Sequence, residues 1–207
     1  PIMTPAVDGY TGPCCGYSLG WDGGNNSLRK LMQNIITDKV EHCRKFGINI
    51  TKEDWNCHSL AGKFITDRGS EYASENFSQI TEFGITIENL PPFRPELKGV
   101  VEQFFCCIQN YFKPHLKGKG LIEPDYRERG SIDYRKQACL TLKQFETVIL
   151  HCIIYYNSQR VIENFPFTKE MLTEKVKPYS SDIWNWVINN KPVNLINVDA
   201  ETLRLML

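Results

Sequence analysis

The sequence predicts an α/β domain, a mixed five-stranded sheet flanked by helices. Three observations carry this. Residues 2–20 read as two strands around a glycine-containing turn. Residues 63–105 alternate strand, helix, strand, helix. A further helix with an apolar face follows from Thr141.

Composition bounds the reading. At 207 residues the chain can build one sizeable core plus an extension. No run of 18 apolar residues and no charged-then-apolar leader occurs, so neither a membrane span nor a signal peptide is expected. Lys+Arg and Asp+Glu are equal at 24 each, which argues against a stand-alone nucleic-acid binder with its usual basic excess. The 8 cysteines show neither Cys-x-x-Cys nor a paired Cys/His spacing. Small buried thiols in a reducing compartment are expected, not zinc or disulfides.

Taken in order, Ile2–Val7 and Pro13–Leu19 are strands, with Asp8-Gly9 and Gly12 supplying the turn. Asn25-Asn26-Ser27 can cap a helix with Leu28, Leu31, Met32, Ile35, Ile36, Val40, Cys43 and Phe46 on one face, ended by Gly47. Thr51 with Asp54 resembles a capping pair for one helical turn, Lys52–Cys57. A short apolar run then ends at Asp67. Ser74 opens a helix with Phe77, Ile80 and Phe83 inward and Gly84 as its stop, and Ile85-Thr86-Ile87 is a short strand. Pro95 suits the first turn of a helix whose stripe is Leu97, Val100, Val101, Phe104, Phe105, Ile108, Tyr111 and Phe112. Glu102 lies on the flank of that stripe. Pro114–Ala138 reads as a long irregular loop. Thr141 with Gln144 is a capping box for the next helix, and two short helices are expected at Thr168–Glu174 and Ser181–Asn189. Val198–Leu207 stops mid-pattern and reads as the start of a further domain.

The organising stretch is Thr66-Asp67-Arg68-Gly69 followed by Pro95-Glu96-Leu97-Lys98-Gly99-Val100-Val101-Glu102, with Glu53-Asp54-Trp55-Asn56-Cys57-His58-Ser59-Leu60 upstream. In this order and spacing these pieces resemble the retroviral-integrase superfamily, and within it the large bacterial DDE transposases of the TnsB type, with phage Mu transposase more distant. The resemblance runs over residues 1–165, leaving 166–207 as a helical extension. It implies an RNase H-like fold and a catalytic core for DNA 3′-end cleavage and strand transfer. Asp67 and Glu102 would be the second and third acids, ligands of two Mg²⁺ or Mn²⁺ ions, because hard carboxylate oxygens suit such cations. DNA, other transposition proteins and further copies of the chain on DNA are the implied partners, in a bacterial cytosol.

Read without the resemblance, Asp67 is a turn residue at a strand end and Glu102 a solvated helix residue. Arg94, Lys98, Lys113 and Arg160 are candidate phosphate contacts, and ordinary surface charge is the alternative for each. For Arg160 that alternative is a cation balancing a helix C-terminus. Gly99 leaves room for a DNA backbone beside the helix start, or simply loosens its first turn. In the resembled family the first acid sits on a strand directly upstream of the segment matching Ile2–Asp8. The expectation is therefore a core whose first strand precedes Pro1, with this chain alone inactive and Asp8 not the missing acid. Rival readings are a non-catalytic integrase-like domain that binds DNA or protein, and an RNase H-fold nuclease.

Overall fold

The computed structural model describes residues 1–66, 79–89, 99–121 and 133–206. Its first unit is an antiparallel hairpin, β1 (Ile2–Val7) with β2 (Cys14–Gly20), in register from Ile2 opposite Gly20 to Val7 opposite Cys14, with an irregularity after Ala6. The alternation of side chains sorts the hairpin's two faces. Met3, Val7, Tyr17 and Leu19 pack on one side, while Thr4, Gly16 and Ser18 meet helix α1 (Asn25–Ile36) on the other.

Gly16 is where α1 comes closest. A Cβ there would stand 2.6 Å from Ile35 Cγ1 and 3.1 Å from Asn34 Oδ1. The hydroxyls of Thr4, Ser18 and Ser27 bond one another under the same helix. Small residues thus let α1 lie against the hairpin without a gap.

The expected single helix up to Phe46 is two. α1 ends at Thr37, whose backbone is extended, and α2 (Lys39–Arg44) starts from Asp38, which accepts from the Glu41 amide. The break has a buried cause: Lys39 folds back and donates to the carbonyls of Asn34, Ile35 and Thr37. Gly24, not Asn25–Ser27, precedes α1, because Ser27 is spent on Ser18 and Thr4. Gly47, at φ 73°, ends α2 as its sequence position suggests.

The remaining strands pair two by two. β3 (Leu60–Ala61) is antiparallel to β6 (Leu195–Ile196), and β4 (Lys63–Thr66) is parallel to β5 (Thr86–Asn89). A 3₁₀ turn, Gln79–Phe83, leads into β5 past Gly84 at φ 80°; Ser74 and Phe77 lie outside the described residues. Helix α3 (Gly99–Leu116) runs on through Pro114, so the irregular loop expected from that residue begins later. Buried Leu116 anchors this last turn in the core. Beyond it come α4 (Tyr134–Gln137), α5 (Leu142–Ser158), α6 (Lys169–Thr173), α7 (Ser180–Asn190) and α8 (Ala200–Met206). The Thr141/Gln144 capping box of α5 is present in both directions.

Two main cores result. Phe104, Ile108 and Phe112 of α3 and Ile149, Leu150, Ile153 and Tyr156 of α5 cover the Met3/Val7 face of the hairpin. The pairs Phe104–Tyr156 and Phe112–Phe145, each edge-to-face, make α3 and α5 antiparallel. On the other side Leu28, Leu31, Met32 and Ile35 of α1 gather Ala6, Phe64, Ile87 and, from α8, Leu203. No helix among the described residues is long and apolar enough to cross a membrane.

Candidate functional site

Asp67 follows Thr66, the buried last residue of β4, whose hydroxyl donates to Asn89 Oδ1 at the matching end of β5 (2.9 Å). The short strand expected before Asp67 is therefore there, held parallel to β5. Asp67, Arg94 and Lys98 lie outside the described residues.

Glu102 is in the first turn of α3 and exposed, two residues before fully buried Phe104. The helix is fixed by its apolar face while its carboxylate stands in solvent, with no ion-pair partner among the described residues. At Gly99 an added Cβ would meet nothing within 4 Å, so open space borders the helix start. Cys106, Asn110 and Lys113 continue the exposed face, and Asn110 Nδ2 donates to Cys106 Sγ at 3.6 Å. Eleven residues separate Lys113 from Glu102, which is about three turns, so the two share a face some 16 Å apart.

Arg160 follows the end of α5 and folds back over its last turn. Its guanidinium lies 4.4 Å from the centre of the Tyr156 ring, and Nη2 donates to the Tyr156 hydroxyl at 3.3 Å. Burial, partly offset by the Arg160 charge, pushes the Tyr156 phenol up to about 12.

Asp8 is committed locally. One carboxylate oxygen accepts from the Tyr10 amide (3.1 Å), the Thr11 amide (2.6 Å) and the Thr11 hydroxyl (2.7 Å). This is the turn role expected of it.

The Glu53–Leu60 segment turns out to be a seam rather than a helical turn. Thr51 still bonds the Asp54 carboxylate, but the chain then leaves the helical path so that Trp55 can enter the core. Trp55 Nε1 donates to the Cys14 carbonyl (2.7 Å), Trp184 Nε1 to the Asn56 carbonyl (2.8 Å), and Asn185 Nδ2 to the Glu53 carbonyl (2.8 Å). Sequence reading missed Asn157 and the Tyr17–His42–Glu146 network. Tyr17 donates to Glu146 Oε1 at 2.9 Å and lies 3.0 Å from His42 Nε2. A phenol has one proton, so once it is given to Glu146 the oxygen accepts from His42 Nε2–H. Burial, and then the Lys39 and Lys45 charges, lower the His42 pKa to about 4. Burial likewise lowers that of Lys39 to about 8.

For a metal, the donor chemistry of Glu102 fits: a hard oxygen on a rigid helix with open space beside it. Among the described residues no group of three or more His, Cys, Asp or Glu side chains could hold an ion.

Comparison with known proteins shows that the chain is similar to transposition proteins. More particularly, residues 1–118 match the family model described as the TnsB C-terminal domain, and the chain belongs to that family. It is 27% identical over 211 residues to the Transposon Tn7 transposition protein TnsB of Escherichia coli, a match that takes in 100% of this chain and 29% of that protein. The chain therefore spans less than a third of this relative's length.

Proposed function

We propose that this chain is a DNA-handling unit of a TnsB-type transposase and serves transposition. The observation that carries the reading is the similarity of the whole of this chain to part of a transposition protein, joined to a family match over more than half the chain. The family match names a C-terminal domain and no catalytic role, and we read the chain first as a domain that binds DNA or another transposition protein. In that role the exposed face of α3, with Glu102, Asn110 and Lys113, and the ring-stacked Arg160 are the surfaces offered to a duplex, with Arg94 and Lys98 as further phosphate contacts.

A second reading makes the same unit catalytic. It is supported by Glu102 exposed at the start of a helix bolted into the core, and by Asp67 following a strand end held in a parallel pair. In this reading Asp67 and Glu102 would hold two Mg²⁺ or Mn²⁺ ions, which supply Lewis-acid stabilisation of charge on phosphate oxygens. α3 then fixes the Glu102 carboxylate, and open space at Gly99 admits the substrate backbone. We further propose that the hairpin and the β4–β5 pair belong to one RNase H-like sheet. In support, Ala6 of β1 and Phe64 of β4 pack on the same α1 core, and each strand has an edge unpaired among the described residues. One added strand between them, antiparallel to β1 and parallel to β4, would complete five. It is the expected place of the first acid.

The two readings separate in a strand-transfer assay with labelled transposon ends, run on a complete transposase that carries this chain. Loss of joining in Glu102→Gln with unchanged end binding supports catalysis. Joining at the wild-type rate leaves only the binding role.

A further inference from the structure

Cations and carboxylates are equal in number, 24 of each, but they are not spread evenly along the chain. Residues 103–121 and 134–145 contain no Asp or Glu. They hold five lysines, Lys113, Lys117, Lys119, Lys136 and Lys143, and all five are exposed.

The fold brings the two stretches together at the C-terminal end of α3. Phe112 of α3 meets Phe145 of α5 edge-to-face at 5.6 Å, and a Cβ on Gly120 would stand 2.6 Å from Ala138 Cα. Leu116 from one stretch and Leu140 from the other pack on the same core. After α3 the chain turns through Lys117-Gly118-Lys119-Gly120, with Gly118 at φ 75° and Gly120 at φ 88°. A Cβ on Gly118 would meet nothing within 4 Å, so the turn is open at its tip.

These charges are not neutralised locally. None of the five lysines makes an ion pair among the described residues. Asp133 and Glu146 flank the second stretch, and Glu146 is engaged by the Tyr17 hydroxyl. A cation at the end of a helix balances its dipole, which accounts for Lys113 and Lys117. Lys143 has no such reason. It lies in the first turn of α5, where a carboxylate is preferred and none is present. Positive charge gathered against that preference fits a polyanion.

Glu102, Cys106, Asn110 and Lys113 are exposed at steps of four, four and three residues, so they form one stripe along α3. The lysines stand at the far end of the Glu102 face, some 16 Å along it. That is about five base pairs of duplex at 3.4 Å each.

We propose that these five lysines form a phosphate-contact surface for duplex DNA, holding the backbone about five base pairs from where the same duplex passes Glu102. This rests on the transposition reading above and gives it a second contact surface. Lysine suits the task, because a point charge on a flexible stem holds phosphates without reading bases. The rival polyanion is an acidic protein segment. It is disfavoured because no large apolar side chain in either stretch is exposed, and a protein interface draws its energy from such anchors.

The test is duplex binding by the full chain, followed by fluorescence anisotropy over a series of salt concentrations. Lys117→Gln, Lys119→Gln and Lys143→Gln should each lower the slope of log K against log [salt] by about one, and the triple variant by about three. The loss should be alike on two unrelated sequences. A control pair of exposed lysines elsewhere, Lys175→Gln with Lys177→Gln, should leave the slope unchanged. Every variant should keep the parental urea midpoint, since none removes a packed group. In a complete transposase carrying this chain, ethylating phosphates about five base pairs from the joined one should weaken end binding by the parent and not by the triple variant. Equal interference in both overturns the spacing. A parental salt slope in the triple variant overturns the proposal, and the transposition reading stands as long as the parent binds duplex. Lysine-dependent binding of poly-glutamate by a chain that binds no duplex overturns the DNA assignment and the DNA part of that reading with it. A parent that binds neither polyanion also overturns the proposal, and strand transfer then decides the transposition reading.

Discussion

The side-chain amide of Asn157 bonds both the backbone amide and the carbonyl of Cys14, 143 residues away. Oδ1 accepts from the Cys14 amide at 2.9 Å and Nδ2 donates to its carbonyl at 3.1 Å. The same carbonyl also receives Trp55 Nε1 at 2.7 Å. An α5 side chain thus replaces a neighbouring strand at the start of β2, and the Trp55 loop is tied to the same atom. Asn157→Leu should cost about 2–3 kcal/mol in urea unfolding, because it strands a buried amide. Trp55→Phe, which leaves the carbonyl one donor, should cost less, about 1 kcal/mol for the bond itself. The reverse ranking would show that the Cys14 amide finds another partner.

Gly16→Ala should destabilise the fold by about 1–3 kcal/mol, the usual cost of overpacking. The new methyl would stand 2.6 Å from Ile35 Cγ1 and crowd Asn34 Oδ1, which accepts from the Tyr17 amide. A thermal midpoint at or above that of the parent would mean that α1 shifts away freely.

His42 should shape the acid side of the stability curve. Its folded pKa of about 4 lies below the ordinary histidine value of 6.5, so on acidification the unfolded chain takes up the proton first. Stability is therefore present in full above about 6.5 and is lost as pH falls towards 4. The fall across this window should be shallower in His42→Gln than in the parent. Equal slopes would remove His42 as a cause.

Much of this was legible locally. Alternation and the Asp8-Gly9 turn gave the hairpin, and Thr141 with Gln144 gave the start of α5. The apolar stripe of α3 left Glu102 outside it, where it is found. What escaped depends on contacts distant in the chain. The helix broken at Thr37–Asp38 follows from the buried amine of Lys39, which periodicity cannot reveal. The two-residue pairing of β3 with β6 is too short to leave a pattern. Arg160 reads in sequence as a cation balancing a helix dipole, with a DNA contact as the alternative, and nothing there shows the Tyr156 ring beneath it.

Asp8→Ala should lose about 1–2 kcal/mol of stability with the three bonds of its turn. In a complete transposase carrying this chain it should still support strand transfer at a temperature where the variant is folded. Abolished joining with an intact fold would return Asp8 to the list of catalytic acids.

The most direct test of the catalytic account is strand transfer by that complete transposase in Mg²⁺ and in Mn²⁺, comparing the parent with Asp67→Asn and Glu102→Gln. Both variants should bind transposon ends as the parent does and join none of them, in either metal. Joining at the parental rate by Glu102→Gln would contradict the account and leave this chain a binding unit of the transposase.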